Sequence, residues 1–426
     1  MARRLLLLAY FYPPFGGAGV QRALKLSRFA EELGWQVDVV SATPAADELQ
    51  DPSLLAEVPK ATAVDRPAVP RLPKALGPLR RLQQPDIYRA WAGPALAAAE
   101  ARLASGGYAA VMSTSLPYTS HWVALQLRRR HALPWVADLR DPWTDNRFLR
   151  HYQGGGLYAR WRRRVDGALE RDVYAGCDLL TMTAEPLRSL LAARHGVAAD
   201  KALLVRNGYD EDDFVDTPSC GDAGSSPPVG RPFEVLFAGS IYQGYTIEPA
   251  FCALELLLER APDTPLRLCL HTQAGAWLDA HLPRFPRVAA RSVRGQRLAH
   301  RDIIARYQQA DLLILSALDD LSIPGKLFEY MRSGRPVLAF VERGAEADAL
   351  LRQTGCGDGV PASDVEAGVA ALQAHIDAWQ RGVPRNRPDP LAVAAFERRT
   401  QFRRLFEAVD RLVDAGVRPI GAQLRR

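Results

Sequence analysis

The sequence of 426 residues lacks paired cysteines and long apolar runs. Its five cysteines are scattered, and no two of them form a Cys-x-x-Cys pair. This spacing argues against a disulfide framework and against a structural zinc site, so we expect reduced thiols in a cytoplasmic protein. No apolar segment approaches the roughly 18 residues that a membrane-spanning helix needs. The N-terminal apolar run meets Pro13-Pro14 before any small-residue cleavage site, which favours a buried strand over a signal peptide.

A strong charge of one sign is also absent, because the formal net charge is only +6. No basic patch is interleaved with aromatic residues, and no nucleic-acid-binding module appears, so we expect no nucleic-acid partner. The most basic short run is Arg160, Arg162, Arg163 and Arg164 around Trp161. Such a run is usually a solvated helix face. It could also hold the first domain on the inner face of an anionic membrane, at about 1 kcal/mol per basic residue.

The sequence does contain a repeated alternation of strand and helix patterns. Residues 5–12 (LLLLAYFY) are a continuous apolar run, which is typical of a strand buried on both faces of a parallel sheet. The alternation that follows predicts an open, doubly wound α/β sheet. It stops at a Pro-, Gly- and Ser-rich segment and then restarts with FEVLFAGS. We therefore predict two Rossmann-like domains facing a cleft, with a long C-terminal helix crossing back to the first domain.

The predicted boundaries follow from these composition changes. They are a first domain at 1–215, a linker at 216–232, a second domain at 233–395 and a C-terminal helix at 396–426. Residues 51–94 are Pro-rich and weakly periodic, so we expect a surface excursion of the first domain there.

Glycine-rich turns follow the first predicted strand of each domain. Gly16 and Gly17 let the backbone approach a ligand at the start of the next helix, where an anion is favoured. A dinucleotide fingerprint is disfavoured, because Arg22 takes the position of its last glycine. The equivalent turn of the second domain contains Gly239, Ser240 and Gly244.

Polar residues gather at further predicted strand ends. Asp138, Arg140 and Asp141 close a strand of the first domain, where ligands of open α/β sheets bind. Burying clustered charges costs free energy unless the charges are paired or serve a function. We therefore expect either an Arg–Asp pair that shapes the loop or residues that take part in the chemistry. Arg140 and Asp141 are catalytic candidates, and so is His121, in the first turn of a helix that we expect to face the cleft. A lone histidine is more often structural. Asn207 lies in a turn before the linker.

Residues 322–340 predict a short, buried helix that carries one charge pair. Pro324 suits the first turn of this helix, and Gly334 suits its C-cap. Lys326 and Glu329 are three residues apart and therefore share a face. The positive end of the helix dipole and Lys326 suit a diphosphate, while Glu329 could accept two ribose hydroxyls. A local ion pair worth about 0.2–0.5 kcal/mol would account for Lys326 and Glu329, but it would account for neither Pro324 nor Gly334.

The order of these motifs resembles one family. PGKLFEYMRSGRPVLA resembles the donor-site helix of the retaining GT-B glycosyltransferases of family 4. YFYPPFGGAG and GWQVDVV resemble the first strand, glycine turn and second strand of that family. PWVADLRDPW, VRNGYD, LFAGSIYQG and AFERRTQFRRLFEAV follow in the family's order. The resemblance covers nearly the whole chain.

The resemblance implies a nucleotide-sugar-dependent glycosyltransferase whose second domain binds the donor and whose first domain binds the acceptor. Glu329 matches the glutamate that binds the donor ribose, Lys326 occupies the diphosphate end of the helix, and Gly17 would lie near the diphosphate. The expected donor-binding residues are Gly16, Gly17, Asn207, Gly239, Ser240, Gly244, Asp319, Asp320, Pro324, Gly325, Lys326, Leu327 and Glu329.

Three departures from the family pattern concern the donor sugar and the phosphate. Leu321 stands where a second glutamate often contacts the sugar, and the neighbouring Asp319 and Asp320 could substitute for it. An arginine and a lysine that often follow the first strand of the second domain are replaced here, as is a histidine of the first domain. The residues at these three positions are Ser240, Gln243 and Arg140.

We therefore expect a hexosyltransferase-type enzyme that transfers a sugar, with retention, from a nucleoside-diphosphate sugar. The acceptor would be a sugar, a lipid-linked glycan or a small molecule, in the synthesis of cell-surface polysaccharide, lipid-linked glycans or glycosylated metabolites. We expect no metal and no other cofactor, because preorganised donors would stabilise the leaving diphosphate. The alternatives are a nucleotide-sugar epimerase of the same fold and a non-catalytic nucleotide-sugar-binding homologue.

Overall fold

The computed structural model divides the chain into two compact units. One comprises Met1–Arg206 and Arg399–Arg426, and the other comprises Asn207–Arg398. The described residues are 2–70, 82–146, 149, 156–214, 230–241, 246–296 and 298–416. Most of the predicted linker at 216–232 lies outside them. Residues 207–214, which the sequence pattern predicts in the first domain, group with the second unit.

In the first unit, seven described strands form one parallel sheet in the order β3-β2-β1-β4-β5-β6-β7. The strands are β1 (Arg3–Leu8), β2 (Trp35–Val40), β3 (Val64–Asp65), β4 (Tyr108–Thr114), β5 (Trp135–Leu139), β6 (Leu179–Met182) and β7 (Ala202–Leu204). Its helices are α1 (Ala18–Ala30), α2 (Ala92–Ala104), α3 (Thr119–Arg130), α4 (Leu157–Gly176) and α5 (Glu185–His195). Leu5 to Leu8 of the central strand are buried, which explains their continuous apolar run.

The second unit repeats this design with six described strands in the order β10-β9-β8-β11-β12-β13. The strands are β8 (Phe233–Ala238), β9 (Leu266–His271), β10 (Ser292–Gly295), β11 (Leu312–Ala317), β12 (Val337–Val341) and β13 (Gly357–Pro361). Its helices are α6 (Glu248–Arg260), α7 (Gly275–His281), α8 (Pro286–Arg291), α9 (His300–Gln309), α10 (Lys326–Ser333), α11 (Glu346–Thr354), α12 (Val365–Gln380) and α13 (Pro390–Ala394). The prediction of two Rossmann-like domains is confirmed.

The strand order reverses at one point in each sheet. β1 pairs with β2 on one side and with β4 on the other, and β8 pairs likewise with β9 and β11. The connections from these neighbouring strands leave in opposite directions, and a ligand crevice opens at the carboxyl ends between them. The turns after β1 and β8 and the loop after β11 therefore lie where a Rossmann-like unit binds its ligand.

The C-terminal helix, predicted at 396–426, begins at Arg398 and ends at Ala415; the separate short helix α13 precedes it, and residues 417–426 lie outside the described residues. After α13 the chain pairs with Tyr209, whose N–H donates to Phe396 O at 3.2 Å, and then continues as α14 (Arg398–Ala415). Gly208 has φ +64°, and a Cβ there would lie 2.5 Å from Phe396 O, so this close approach requires glycine. From Arg399 onward α14 belongs to the first unit, which confirms that this helix returns to the first domain.

Four short edge strands were missed from the sequence: β3, β7, β10 and β13. β3 lies within 51–94, so part of the expected surface excursion joins the first sheet, while residues 71–81 lie outside the described residues. An edge strand has one pairing neighbour and needs no long apolar run, and β13 (GDGVP) has almost none. Among the described helices, none is both long and apolar enough to cross a membrane.

A buried ion pair joins α1 to the middle of the first sheet. Arg22 donates from Nε and Nη2 to the Asp138 carboxylate at 2.9 and 2.7 Å, and the hydroxyls of Thr114 and Thr181 donate to it at 2.8 and 2.6 Å. Burial alone would raise the pKa of Asp138, but Arg22 and the two threonines outweigh burial and hold it below its usual value. The charge at this strand end is thus neutralised inside the fold, by Arg22 and not by the adjacent Arg140.

We predict that Arg22→Met lowers the free energy of unfolding of the first unit by about 3–5 kcal/mol, because it leaves the Asp138 charge buried and uncompensated. Urea titration, followed by the fluorescence of the buried tryptophans, measures the change. Arg399→Met is the control, since its pair with Glu32 is exposed and such pairs contribute at most about 1 kcal/mol. Equal urea midpoints for the two variants would contradict the assignment.

Candidate functional site

The site of the second unit is built on α10 and on the turn after β8. α10 begins at Lys326, two residues after Pro324, and ends at Ser333; the next residue, Gly334, is its C-cap, with a left-handed φ of +74°. The predicted end is therefore confirmed, while Pro324 precedes the N-cap residue Gly325 instead of lying in the first turn. α10 follows β11, so its N-terminus lies at the switch point of the sheet.

Lys326 links the start of α10 to the end of β8. Its ammonium donates to Ala238 O at 3.2 Å and lies 4.4 Å from the centre of the Phe237 ring. Burial lowers the pKa of Lys326 to about 8, against the opposing effect of Glu329. Gly239 has φ +122°, and a Cβ there would lie 3.3 Å from Lys326 Nζ. The cation thus lies against the glycine turn, where backbone and ammonium can approach one ligand together.

Glu329 lies one turn further along α10 and is held by two partners from α9. His300 Nε2 donates to Oε1 at 3.0 Å, and the Tyr307 hydroxyl donates to Oε2 at 3.4 Å. Burial alone would raise the pKa of Glu329, but His300 outweighs burial and, with Arg398 and Tyr307, keeps the pKa below its usual value. The carboxylate is therefore ionised, and both of its oxygens act as acceptors.

His300 was not singled out from the sequence, nor were Tyr307 and Asp213. Asp213 Oδ2 lies 3.7 Å from His300 Nδ1, so this imidazole lies between two carboxylates. His300 and Tyr307 are seven residues apart on α9, a spacing that places both on one helix face. That spacing was the available signal, but only the tertiary packing of α9 against α10 shows that their shared partner is Glu329.

Other donor-site candidates divide into those beside α10 and those with local structural roles. The Asn207 side chain donates to Ile323 O at 3.2 Å, which holds it next to the loop that precedes α10. The Asp319 carboxylate accepts from Leu321 N at 3.1 Å within its own loop, and Asp320 accepts from Glu346 N at 2.9 Å at the start of α11. Both aspartates thus hold backbone groups near the loop that precedes α10, and a contact of either one with the donor sugar stays a prediction.

For the remaining candidates of the second unit, the structure shows only how far each side chain is buried. Leu327 is fully buried and packs in the core. Ser240 is exposed after β8, and Leu321 is half-buried. Gly244 and Gln243 lie outside the described residues.

The first unit places its candidates around a second glycine turn. Gly17 has φ +94°, and Gly16 N–H donates to Leu49 O at 2.9 Å. Arg140 Nη1 donates to Gly19 O at 2.9 Å, so Arg140 holds the start of α1 from the loop after β5. Asp141 lies half-buried beside it.

His121 lies in the core and not on an open face. It is fully buried, its Nδ1 shares a hydrogen bond of 2.8 Å with Ser113 Oγ, and burial lowers its pKa to about 4. A neutral, enclosed imidazole of this kind supports the structural alternative. We therefore assign His121 no catalytic role.

A surface cavity of about 490 Å³ lies elsewhere in the first unit. Its lining comprises Thr144, Asp145, Asn146, Arg163, Gly167, Glu170, Arg171, Arg194 and His195. Asp145 already pairs with Arg194 and His195. The cavity lining includes none of the described site candidates.

The His300–Glu329 pair predicts a pH-dependent stability. The pKa of His300 is raised: burial opposes this, but Glu329 and Asp213 outweigh burial and the charge of Arg398. Folding therefore stabilises the imidazolium, fully below about pH 6.5, and loses this stabilisation as pH rises through the raised pKa. The lowered pKa of Glu329 makes its contribution full above about pH 4.5 and lost on further acidification.

His300→Gln should therefore cost the second unit most stability between about pH 4.5 and 6.5, and progressively less above that window. Urea unfolding of the native chain and of the variant over this pH range measures the difference. A difference that is independent of pH would show that the pair does not carry the charge assigned to it.

Comparisons with known proteins concern the first domain and the overall fold. Residues 16–208 match a family model described as "Glycosyl transferase 4-like domain". No curated protein matches the sequence. Sucrose-phosphate synthase from Thermosynechococcus elongatus is similar in structure, with a TM-score of 0.70 at 16% identity, over 97% of this chain and 100% of that chain.

Two further solved structures have the same fold. Anabaena HepE in complex with UDP and glucose has a TM-score of 0.67 at 14% identity, over 96% of this chain and 100% of that chain. WaaG, a glycosyltransferase involved in lipopolysaccharide biosynthesis, has a TM-score of 0.62 at 15% identity, over 98% and 100%. The chain therefore has the two-domain GT-B fold of these solved structures, and its residues 16–208 match a glycosyl transferase 4-like domain.

Proposed function

We propose that the chain is a retaining, metal-independent glycosyltransferase that moves a hexose from a nucleoside-diphosphate sugar to an acceptor. The acceptor class is a sugar, a lipid-linked glycan or a small molecule, in the synthesis of cell-surface polysaccharide, lipid-linked glycans or glycosylated metabolites. We place the enzyme in the cytoplasm with a peripheral contact to the inner face of the membrane. The donor binds to the second unit, and the first unit serves the acceptor.

One observation carries the proposal: a cation and an ionised carboxylate lie one helical turn apart at the switch point of the second sheet. Lys326, the first N–H groups of α10 and the backbone after Gly239 suit two phosphates. Glu329 can accept two hydroxyls of a ribose. A nucleoside diphosphate has these groups in this order. HepE, which shares the fold, was solved with UDP and with UDP-glucose, so uridine nucleotides are the first probes.

The chemistry exchanges one glycosidic bond for another on the same face of the sugar. The bond between the anomeric carbon and the diphosphate oxygen breaks, the acceptor oxygen bonds to that carbon, and the acceptor proton passes to the leaving phosphate. Negative charge grows on the diphosphate, so donors that are already in position stabilise the transition state most. Lys326 fills that role. Arg140 is a positioning residue for the glycine turn of the first unit.

A second candidate is a nucleotide-sugar-binding protein without turnover. It is favoured by Leu321, a half-buried apolar residue where the family often has a sugar-binding glutamate. Such a protein would keep the nucleotide contacts of Lys326 and Glu329 and would lack transfer.

We predict that Lys326→Met and Glu329→Gln each weaken UDP binding by roughly 10- to 100-fold, because each removes a charged hydrogen-bonding group worth about 1.5–3 kcal/mol. Isothermal titration calorimetry measures the affinity, and circular dichroism checks the fold. Lys60→Met and Glu342→Gln are matched controls at exposed positions and should bind as the native chain does. Unchanged affinity in both site variants would show that α10 is not the nucleotide site.

Turnover is tested with uridine-, guanosine-, adenosine- and thymidine-diphosphate sugars, with and without simple sugars or polar lipids as acceptors. We expect nucleoside diphosphate release that requires an acceptor, and an α-linked product by nuclear magnetic resonance from an α-linked donor. Conversion of the sugar without release would instead identify an epimerase. Tight binding without release would identify the non-catalytic protein, and a β-linked product would overturn retention.

A further inference from the structure

Large apolar side chains are exposed together at the start of α4. Leu157 is 84% exposed, Trp161 is 41% exposed and Tyr158 is 39% exposed. The Tyr158 and Trp161 rings lie 5.9 Å apart. Leu157 precedes Trp161 by four residues, a spacing that places the two side chains on one face of the helix. Contiguous apolar groups on a protein surface usually mark a binding face.

A second exposed apolar pair is tied to the same helix. Leu82 is 53% exposed and Ile87 is 48% exposed. Arg162 of α4 donates to two backbone carbonyls between these residues in sequence, Gln83 O at 2.8 Å and Pro85 O at 2.7 Å. Arg162 is therefore buried, and its hydrogen bonds connect α4 to the segment that contains Leu82 and Ile87. This corrects the sequence-based interpretation of Arg162 as part of a solvated basic run.

The charges around these apolar groups have one sign. Arg160, Arg163 and Arg164 are exposed between and beside the apolar side chains. The single acid within residues 157–169, all of which the structure describes, is Asp166, which is buried and paired with Arg162 at 2.9 Å. The exposed charged side chains that these residues of α4 contribute are thus the three arginines, and one of them, Arg163, also lines the cavity that contains Asp145 and Glu170.

We propose that this surface docks the protein on an anionic phospholipid bilayer. The α4 face, as we name it, consists of Leu157, Tyr158, Arg160, Trp161, Arg163 and Arg164. Leucine inserts among acyl chains, tryptophan and tyrosine favour the boundary between hydrocarbon and headgroups, and arginine side chains extend to the lipid phosphates. Apolar insertion and electrostatic attraction together give the two signals that stable peripheral binding needs.

The α4 face gives the peripheral contact of the proposed function a defined location. It holds the first unit, which serves the acceptor, at the surface where a lipid-linked acceptor would be found. The inference rests on that proposed contact but not on sugar transfer, so the chain would bind vesicles even if it transferred nothing. A nucleic acid is a weaker fit, because three exposed arginines within five residues of one helix, next to an exposed leucine, offer no groove for a phosphate backbone.

The test is sedimentation of the full chain with vesicles of phosphatidylcholine alone or of phosphatidylcholine and phosphatidylglycerol in equal amounts. We expect binding to the anionic vesicles that weakens with added salt, and little binding to the neutral ones. Replacing Arg160, Arg163 and Arg164 by Gln should weaken binding roughly 100-fold, from about 1 kcal/mol for each charge. Leu157→Ser with Trp161→Ser should weaken it by at least about tenfold.

Two matched controls separate the α4 face from general charge and general exposure. Replacing Arg403, Arg404 and Arg411 by Gln removes three exposed charges from α14 of the same unit, and Leu391→Ser removes a leucine that is also 84% exposed. Both controls should bind vesicles as the native chain does. All variants should keep the native affinity for UDP, which distinguishes failure of this inference from failure of the proposed function.

Several outcomes would overturn the inference. They are no binding of the native chain to anionic vesicles, equal binding to neutral vesicles, and unchanged binding of both α4 variants. Displacement of the chain from vesicles by a short DNA duplex would identify a general polyanion surface and would equally overturn it.

Discussion

The candidate site depends on the contact between Lys326 and the end of β8. The Ala238 carbonyl accepts from the Lys326 ammonium and, at 3.4 Å, from the Tyr330 hydroxyl, so two residues of α10 hold the helix against the central strand. This contact fixes the position of the α10 N-terminus relative to the sheet, and it therefore also fixes the position of Glu329 one turn later. The contact also holds the Lys326 ammonium in a buried position, where burial disfavours the charged form and lowers the pKa. A phosphate would restore that charge and would itself be stabilised by it.

The two units make two equivalent contacts with different residues. In each, a basic side chain from a later strand connection donates to a backbone carbonyl beside the glycine turn. Arg140 donates to Gly19 O at the start of α1, and Lys326 donates to Ala238 O at the end of β8. The carboxyl ends of parallel strands lie at the same edge of a sheet. Residues that follow different strands can therefore contact each other at the switch point, although they are far apart in the sequence. Each unit also neutralises a buried carboxylate from a neighbouring helix, Asp138 by Arg22 and Glu329 by His300. The repeated design explains why motifs of the two halves resemble each other in position more than in sequence.

The sequence predicts those parts of the molecule that local patterns encode. The long central strands follow from continuous apolar runs, and the end of α10 follows from Gly334. Lys326 and Glu329 could be singled out because a three-residue spacing on a short bounded helix is a local signal. The break between α13 and α14 could not, because its cause is pairing with Tyr209, which is almost 190 residues earlier in the chain. The partners of Glu329, the burial of His121 and the contact of Arg140 with Gly19 likewise depend on packing between distant segments.

A crystal structure of the chain soaked with UDP would show whether α10 holds a nucleoside diphosphate. We expect both ribose hydroxyls within hydrogen-bond distance of the Glu329 carboxylate. We also expect the diphosphate against Lys326 and the first N–H groups of α10. A diphosphate bound away from α10, or a ribose that makes no contact with Glu329, would contradict the proposed site.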